Sequence, residues 1–206
     1  MDGVIVNSEP LWAQAEMEVF SALGVQLRPD LTQLTKNMTT AEVTDFWFKR
    51  FPWQHRNFKK VEMDVVLRVI ELIKEEDCII PGIKNFINRL SQKGRKIALA
   101  TNSPYEVIPV VLEKAGIAQK VCAITSADMV ERGKPEPDVY LKSIKKLNLL
   151  TSECLAVEDS ASGIMAARKA GLKVAGFSNS GLNKIEHLSD FVLHSFLETD
   201  LSELHF

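Results

Sequence analysis

The sequence is poor in cysteine and has no long apolar run. Its three cysteines, Cys78, Cys122 and Cys154, are an odd and widely spaced set, which provides neither a disulfide framework nor a metal-ligand pattern. We therefore expect reduced thiols and a cytoplasmic protein. No apolar stretch approaches the roughly 18 residues of a membrane span, and the opening residues lack the basic region of a signal peptide, so we expect no membrane contact.

An excess of charge of either sign is also missing. Lysine and arginine number 25 and aspartate and glutamate 27, which gives a formal net charge of −2. Without a broad basic field, nucleic acid is not an expected partner. What the 206 residues do contain is an apolar fraction of 46%, which is typical of a globular protein with one domain or a domain plus an insertion.

Residues 10–78 contain helical patterns only. The first helix is predicted to begin near Pro10 and to end at Gly24. A capping-box pattern from Thr39 to Glu42 begins a second helix. In a third helix, apolar residues recur every three or four positions over residues 58–76. Three helices with no strand between them predict a small helical bundle.

The rest of the chain alternates short apolar runs with helical patterns. The predicted strands cover residues 96–101, 121–125, 155–158 and 173–177, and the predicted helices cover 83–92, 105–115, 138–147 and 160–170. This alternation indicates an α/β protein with a Rossmann-like parallel sheet and helices on both of its faces. The predicted domains are an α/β core from residues 1–9 and 79–206 and an inserted helical cap from residues 10–78.

Polar residues follow the predicted strands, where ligands bind in sheets of this kind. Hydroxyl groups and backbone N–H groups at Thr101 and Asn102 can hold phosphate oxygens, and Lys134 can neutralise the charge of a phosphoryl group. Glu158 and Asp159 offer the hard oxygen ligands that suit Mg²⁺. Each motif alone is more often a turn, a helix cap or a solvated loop, so only their joint order along the chain indicates a site.

That order resembles the four motifs of the haloacid dehalogenase superfamily. The motifs are Asp2-Gly3-Val4-Ile5-Val6, Thr101, Gly133-Lys134-Pro135 and Glu158-Asp159. The last motif and the helical insertion after the first are similar to the superfamily's phosphoglucomutase and sugar-phosphate phosphatase branch, with its mobile cap. Ser8 to Trp12 and the stretch from Trp47 to Trp53 also resemble the cap of bacterial 2-deoxyglucose-6-phosphate or hexitol-phosphate phosphatases.

The resemblance implies a Mg²⁺-dependent phosphohydrolase that acts on a small-molecule phosphate ester. Asp2 would be the general acid/base, and Lys134 would balance charge during transfer. The phosphoryl group would be held by Thr101, Asn102 and Lys134. The metal would be held by Glu158 and Asp159 together with Asp2, whose backbone carbonyl would face it. We expect the protein to be a monomer.

The superfamily's nucleophile is an aspartate two residues before the acid/base aspartate, and that position precedes Met1 here. We expect the natural chain to extend upstream, with Met1 as the middle residue of an Asp-Met-Asp-Gly motif and with the first strand of the sheet truncated in this sequence. Three functions remain open. They are a sugar or polyol phosphatase working through an aspartyl-phosphate, a phosphoglucomutase-like phosphoryl transferase, and a non-catalytic binding module.

Residues of the cap are candidates for substrate recognition, because aromatic faces pack on sugar rings and polar groups bond sugar hydroxyls. The candidates are Trp12, Glu16, Trp47, Trp53 and His55. The alternative for the tryptophans is that a small helical bundle needs large side chains to fill its interior.

Overall fold

The chain leaves one structural unit after Asn7 and returns to it at Cys78. In the computed structural model, which describes residues 1–35, 38–54, 56–178 and 185–201, one unit consists of Met1–Asn7 and Cys78–Phe206, and the other of Ser8–Asp77. The inserted unit therefore begins at Ser8 rather than at residue 10, and ends at Asp77 rather than at residue 78. Backbone hydrogen bonds join the outgoing and returning segments, from Asn7 N to Cys78 O at 2.8 Å and from Ile80 N to Ile5 O at 2.9 Å.

We call the inserted unit the cap. Its described part contains four α-helices, which are joined by loops, and no strand. They are α1 (Glu9–Ala22), α2 (Pro29–Thr35), α3 (Thr40–Arg50) and α4 (Phe58–Glu75). The capping box is formed as predicted, because Thr39 N donates to Glu42 Oε2 at 2.7 Å and Glu42 N donates to Thr39 Oγ1 at 3.3 Å. The short helix α2 was not predicted, since its seven residues carry few apolar positions.

Aromatic side chains fill the interior of the cap. Trp47 is fully buried and Trp53 is 8% exposed. The Trp47 ring contacts Phe20, Phe46 and Phe51 at centroid distances of 5.1 to 6.4 Å. Such ring pairs add to the free energy of burial itself. We call Phe20, Phe46, Trp47, Phe48, Phe51, Trp53 and Phe58 the aromatic cluster.

The core unit alternates helices and strands, which confirms the predicted α/β class. Its helices are α5 (Ile83–Gln92), α6 (Val107–Lys114), α7 (Asp138–Leu147) and α8 (Ala161–Lys169), and its strands are β1 (Ile97–Thr101), β2 (Val121–Ser126), β3 (Leu155–Glu158), β4 (Lys173–Phe177) and β5 (Phe191–Leu193). Three-residue β5 was not predicted, because so short a run has no readable alternation. Among the helices described, none is long and apolar enough to cross a membrane.

The described strands form two parallel sheets instead of one continuous sheet. One has the order β1-β2, and the other has the order β3-β4-β5. A cavity of about 360 Å³ lies between the β1 and β3 edges. Its wall includes Leu99 from β1 and Ala156 from β3, together with Met1, Val4 and Ile5 of the opening segment. The two parts of the sheet are thus separated by apolar space.

Candidate active site

Asp2 lies in the opening turn and is held by two hydroxyl groups from the end of β1. The turn is closed by a hydrogen bond from Gly3 N to Val6 O at 2.8 Å. Thr101 Oγ1 donates to Asp2 Oδ2 at 3.4 Å, and Ser103 Oγ donates to the same oxygen. Hydroxyl donors on one carboxylate oxygen fix the orientation of that carboxylate.

Ser103 is a site residue that the sequence predictions did not assign. Its backbone N also donates to Thr101 Oγ1 at 3.1 Å. The Thr101 side chain is 2% exposed, so its hydroxyl group is engaged with Asp2 and Ser103. A Thr-Asn-Ser run after a strand predicts a turn. It does not predict which of its hydroxyl groups contacts Asp2, because Asp2 is distant in the sequence.

Asn102 positions the backbone of Lys134. Its Nδ2 donates to Lys134 O at 3.0 Å, and its Oδ1 accepts from Lys134 N at 2.7 Å. The Asn102 side chain therefore has a positioning role, and the predicted phosphate contact at Asn102 stays a prediction for its backbone N–H group. A Cβ at Gly133 would lie 2.7 Å from Asn102 Oδ1, so glycine is needed for this close approach.

Lys134 and Glu158 form a buried ion pair. Their side chains are 8% and 6% exposed, and Lys134 Nζ donates both to Glu158 Oε1 and, at 3.0 Å, to Ala100 O. Tyr140 in α7, which the sequence predictions did not select, donates its hydroxyl group to the same Glu158 oxygen. Burial, followed by the negative charge of Glu158, raises the pKa of the Tyr140 hydroxyl well above its ordinary value, so it remains a donor.

Asp159 lies after β3 and beside the opening turn. Gly3 has a φ of +66°, and a Cβ there would overlap the Asp159 carboxylate, so both the backbone and the space require glycine. Burial raises the pKa of Asp159 to about 6, and the negative charge of Glu158 adds to this shift. A cation beside this carboxylate would therefore favour its ionised form.

The next turn of chain places the start of α8 against the same carboxylates. Ser160 Oγ accepts from Gly163 N at 3.1 Å and caps the helix. A Cβ at Gly163 would overlap the Glu158 carboxylate. Gly163 therefore allows α8 to pack directly against Glu158.

The carboxylates of Glu158 and Asp159 are oxygen donors of the kind that Mg²⁺ prefers. Within the described ranges, no three His, Cys, Asp or Glu side chains converge as a metal site. The predicted donors are the side chains of Glu158 and Asp159 with the backbone carbonyl of Asp2, so the prediction does not require a triad of side chains. Mg²⁺ usually takes one or two carboxylates, waters and substrate phosphate oxygens, which Asp159 and Glu158 can satisfy without a third carboxylate.

The cap residues predicted to contact the substrate differ in how deeply they are buried. Trp47 and Trp53 pack inside the aromatic cluster, so core packing accounts for both rings. Trp12 and Glu16 are only partly buried. Burial raises the pKa of Glu16 to about 7. His55 lies outside the described residues.

Comparison with known proteins identifies a family and several relatives of this chain. Residues 1–171 match the model of a family described as haloacid dehalogenase-like hydrolase. The chain belongs to the haloacid dehalogenase-like hydrolases. It is 33% identical over 178 residues to hexitol phosphatase B of Escherichia coli (strain K12), covering 84% of this chain and 78% of that protein. A phosphorylated carbohydrates phosphatase of Thermotoga maritima is 30% identical over 176 residues, covering 84% and 80%.

Solved structures of this family share the fold. CbbY from Rhodobacter sphaeroides, in complex with phosphate, superposes with a TM-score of 0.80 at 25% identity, covering 96% of this chain and 92% of that one. Beta-phosphoglucomutase from Clostridium difficile gives a TM-score of 0.81 at 22% identity, covering 98% and 91%. The predicted superfamily is thus confirmed, and the protein is an enzyme of the phosphatase type.

Proposed function

We propose that this protein is a Mg²⁺-dependent phosphatase of a small sugar or polyol phosphate. The observation that carries the proposal is a buried ammonium group that is paired with one carboxylate, with a second carboxylate adjacent in the chain. Lys134 pairs with Glu158, Asp159 follows directly in the chain, and the Asp159 carboxylate lies against Gly3, next to Asp2. A phosphate ester and one divalent ion would together satisfy these charges.

Asp2 is the general acid/base of the proposed reaction. As an aspartate nucleophile attacks phosphorus, the bond from phosphorus to the sugar oxygen breaks, and Asp2 gives its proton to that oxygen. A water molecule then attacks the aspartyl-phosphate, and Asp2 accepts the proton of that water. Inorganic phosphate leaves and the nucleophile is restored. The hydroxyl groups of Thr101 and Ser103 keep the Asp2 carboxylate in one orientation through both steps.

Lys134 stabilises the negative charge of the transferring group. Its ammonium group is held by Ala100 O and Glu158, and its backbone is held by Asn102. Bound Mg²⁺ would supply further charge neutralisation at the phosphoryl oxygens. Asp159 and Glu158 would hold that ion, with the backbone carbonyl of Asp2 as a further oxygen donor.

We assign the nucleophile to an aspartate two residues before Asp2, on a strand seated between β1 and β3. The cavity of about 360 Å³ between these edges supports this assignment, since an apolar gap beside two parallel strands suits one more strand. A chain extended by an apolar strand ending in that aspartate should release phosphate. The same extension ending in asparagine should fill the cavity and raise stability without restoring turnover.

The proposed substrate class rests on the relatives, whose names specify hexitol and carbohydrate phosphates. Trp12 and Glu16 stay candidates for contacts to the sugar. A phosphoglucomutase-like transfer is the second candidate, which the beta-phosphoglucomutase fold supports.

Three free cysteines support a reducing compartment such as the cytoplasm, and we propose a monomer.

A panel of hexose and polyol phosphates, each assayed for phosphate release with Mg²⁺ and with EDTA, tests the function. We expect the extended chain to show turnover that depends on Mg²⁺ and is lost in Asp2→Asn. Isomerisation of a sugar phosphate primed by a bisphosphate, without net phosphate release, would favour the mutase. Binding of phosphate esters without either reaction, in both the present and the extended chain, would favour a binding module.

A further inference from the structure

Tyr140 contacts both charged members of the buried ion pair. Its hydroxyl group donates to Glu158 Oε1, and its ring centroid lies 5.1 Å from Lys134 Nζ, in the range of a cation–π contact. Its side chain belongs to α7, whereas Lys134 precedes that helix and Glu158 ends β3. We infer that Tyr140 is a positioning residue, which holds the Glu158 carboxylate so that Lys134 keeps one N–H free for the phosphoryl group.

The donors of Lys134 explain why a second donor to Glu158 matters. An ammonium group has three N–H donors. Two of them go to Ala100 O and Glu158 Oε1. The third N–H group can donate a hydrogen bond to a phosphoryl oxygen of the substrate. If Glu158 had to draw a second hydrogen bond from Lys134, no donor would remain for the substrate.

Glu158 is confined on its other side by the backbone of α8. A Cβ at Gly163 would overlap its carboxylate, so the group has little room to rotate. Tyr140 holds the carboxylate through a hydrogen bond at Oε1, and Gly163 confines it through close packing that is tightest at Oε2. A buried carboxylate with fewer donors is costly, so loss of the Tyr140 hydroxyl should move either Glu158 or the Lys134 ammonium.

The inference rests on the proposed phosphatase function, because it assigns the third donor of Lys134 to a phosphoryl oxygen. The chain offers a matched control, since its two tyrosines are Tyr140 and Tyr105. The Tyr105 side chain is 45% exposed. Tyr140→Phe removes the buried hydroxyl and keeps the ring, and Tyr105→Phe makes the same chemical change at the surface.

The experiment compares the two variants, made in the extended chain that carries the proposed nucleophile, in catalysis and in the reactivity of Lys134. For Tyr140→Phe we expect kcat to fall by about 10- to 100-fold, with KM for the best sugar phosphate nearly unchanged, which is the size of effect seen when supporting residues of a metal site are removed. Acetylation of Lys134, followed by mass spectrometry without substrate or metal, should be several-fold slower, because Glu158 then draws a second N–H of the ammonium group. Tyr105→Phe should match the unchanged protein in both measurements.

Unchanged kcat together with unchanged Lys134 acetylation in folded Tyr140→Phe would overturn the inference. If the unchanged protein and its extended form hydrolyse no phosphate ester, the proposed function fails, and acetylation of Lys134 still decides the positioning role. If Tyr140→Phe does not fold, Glu158→Gln provides the test, because Tyr140 acts through Glu158. Lys134 should then be acetylated faster, because its ammonium group loses the carboxylate partner, and an unchanged rate would contradict the inference.

Discussion

The cap and the core unit bury different kinds of side chain. The cap interior holds the aromatic cluster, in which Trp47 is fully buried and its Nε1 has no hydrogen-bond partner among the described residues. The core buries an ion pair, Lys134 and Glu158, beside an apolar cavity. Neutral rings gain free energy from burial wherever they pack, whereas each buried charge depends on its particular partner. Substitutions that keep the side-chain volume but change its polarity or charge should therefore cost little stability in the cap interior. At the buried ion pair of the core they should cost much more.

The largest effect should come from removing one charge of the buried pair. Lys134→Met leaves Glu158 without its cation, so we expect a loss of about 3–5 kcal/mol in the free energy of unfolding. We expect a fall of about a hundred- to a thousand-fold in kcat. Denaturant unfolding and phosphate release measure the two effects. Exposed Lys145→Met is the control. The double variant with Glu158→Gln should regain most of the stability but none of the activity, and recovered activity would exclude the assigned role of Lys134.

The aromatic cluster should respond to lost volume and not to lost polarity. Trp47→Ala removes a fully buried ring, so we expect a cost of about 3–5 kcal/mol. Trp47→Phe keeps most of the ring volume and removes the unpartnered N–H, so its cost should be clearly smaller. Thermal unfolding of both variants measures this difference. Equal costs would mean that the indole N–H matters more than packing.

Glu16 is an exception inside the cap, because it is a partly buried carboxyl group. Burial raises its pKa from an ordinary 4.5 to about 7. The folded state therefore binds the proton more tightly than the unfolded state, and the cost of ionising Glu16 appears as pH rises from 4.5 to 7. Glu16→Gln should be more stable than the unchanged protein by about 1–3 kcal/mol above pH 7 and equal to it below pH 4.5. Exposed Glu131→Gln should show no such pH-dependent difference.

The smallest expected effect compares one helix cap in each unit. Thr39 caps α3 and Ser160 caps α8 through the same type of bond. Each change to alanine should cost about 1 kcal/mol of stability. Only Ser160→Ala should also lower kcat, by several-fold, because α8 begins beside Glu158 and Asp159. Equal activity in the two variants would show that the start of α8 does not position the site.

Local sequence predicted most of the helices and strands. Helices α5 and α7 and strands β3 and β4 have the predicted limits, because each combines a clear apolar period with a turn or cap at its ends. The elements missed, α2 and β5, are seven and three residues long. At that length, propensity and periodicity carry too little signal, and tertiary packing decides the structure.

The candidate site was predicted by residue type but not by contact. The motifs identified Asp2, Thr101, Lys134, Glu158 and Asp159, since polar groups at the ends of parallel strands meet at one edge. They did not identify Ser103 as a partner of Asp2. They also did not show that the Asn102 side chain holds the backbone of Lys134.

The sequence by itself determined the alternation of strands and helices, the insertion of a helical cap and the order of the charged motifs, because these depend on local periodicity and on chain order. Only the tertiary structure decided which groups share one carboxylate oxygen. Tyr140 lies on a helix whose pattern indicates packing alone, yet its hydroxyl group reaches Glu158 at the end of β3. That contact depends on side-chain direction in three dimensions, which no local pattern specifies.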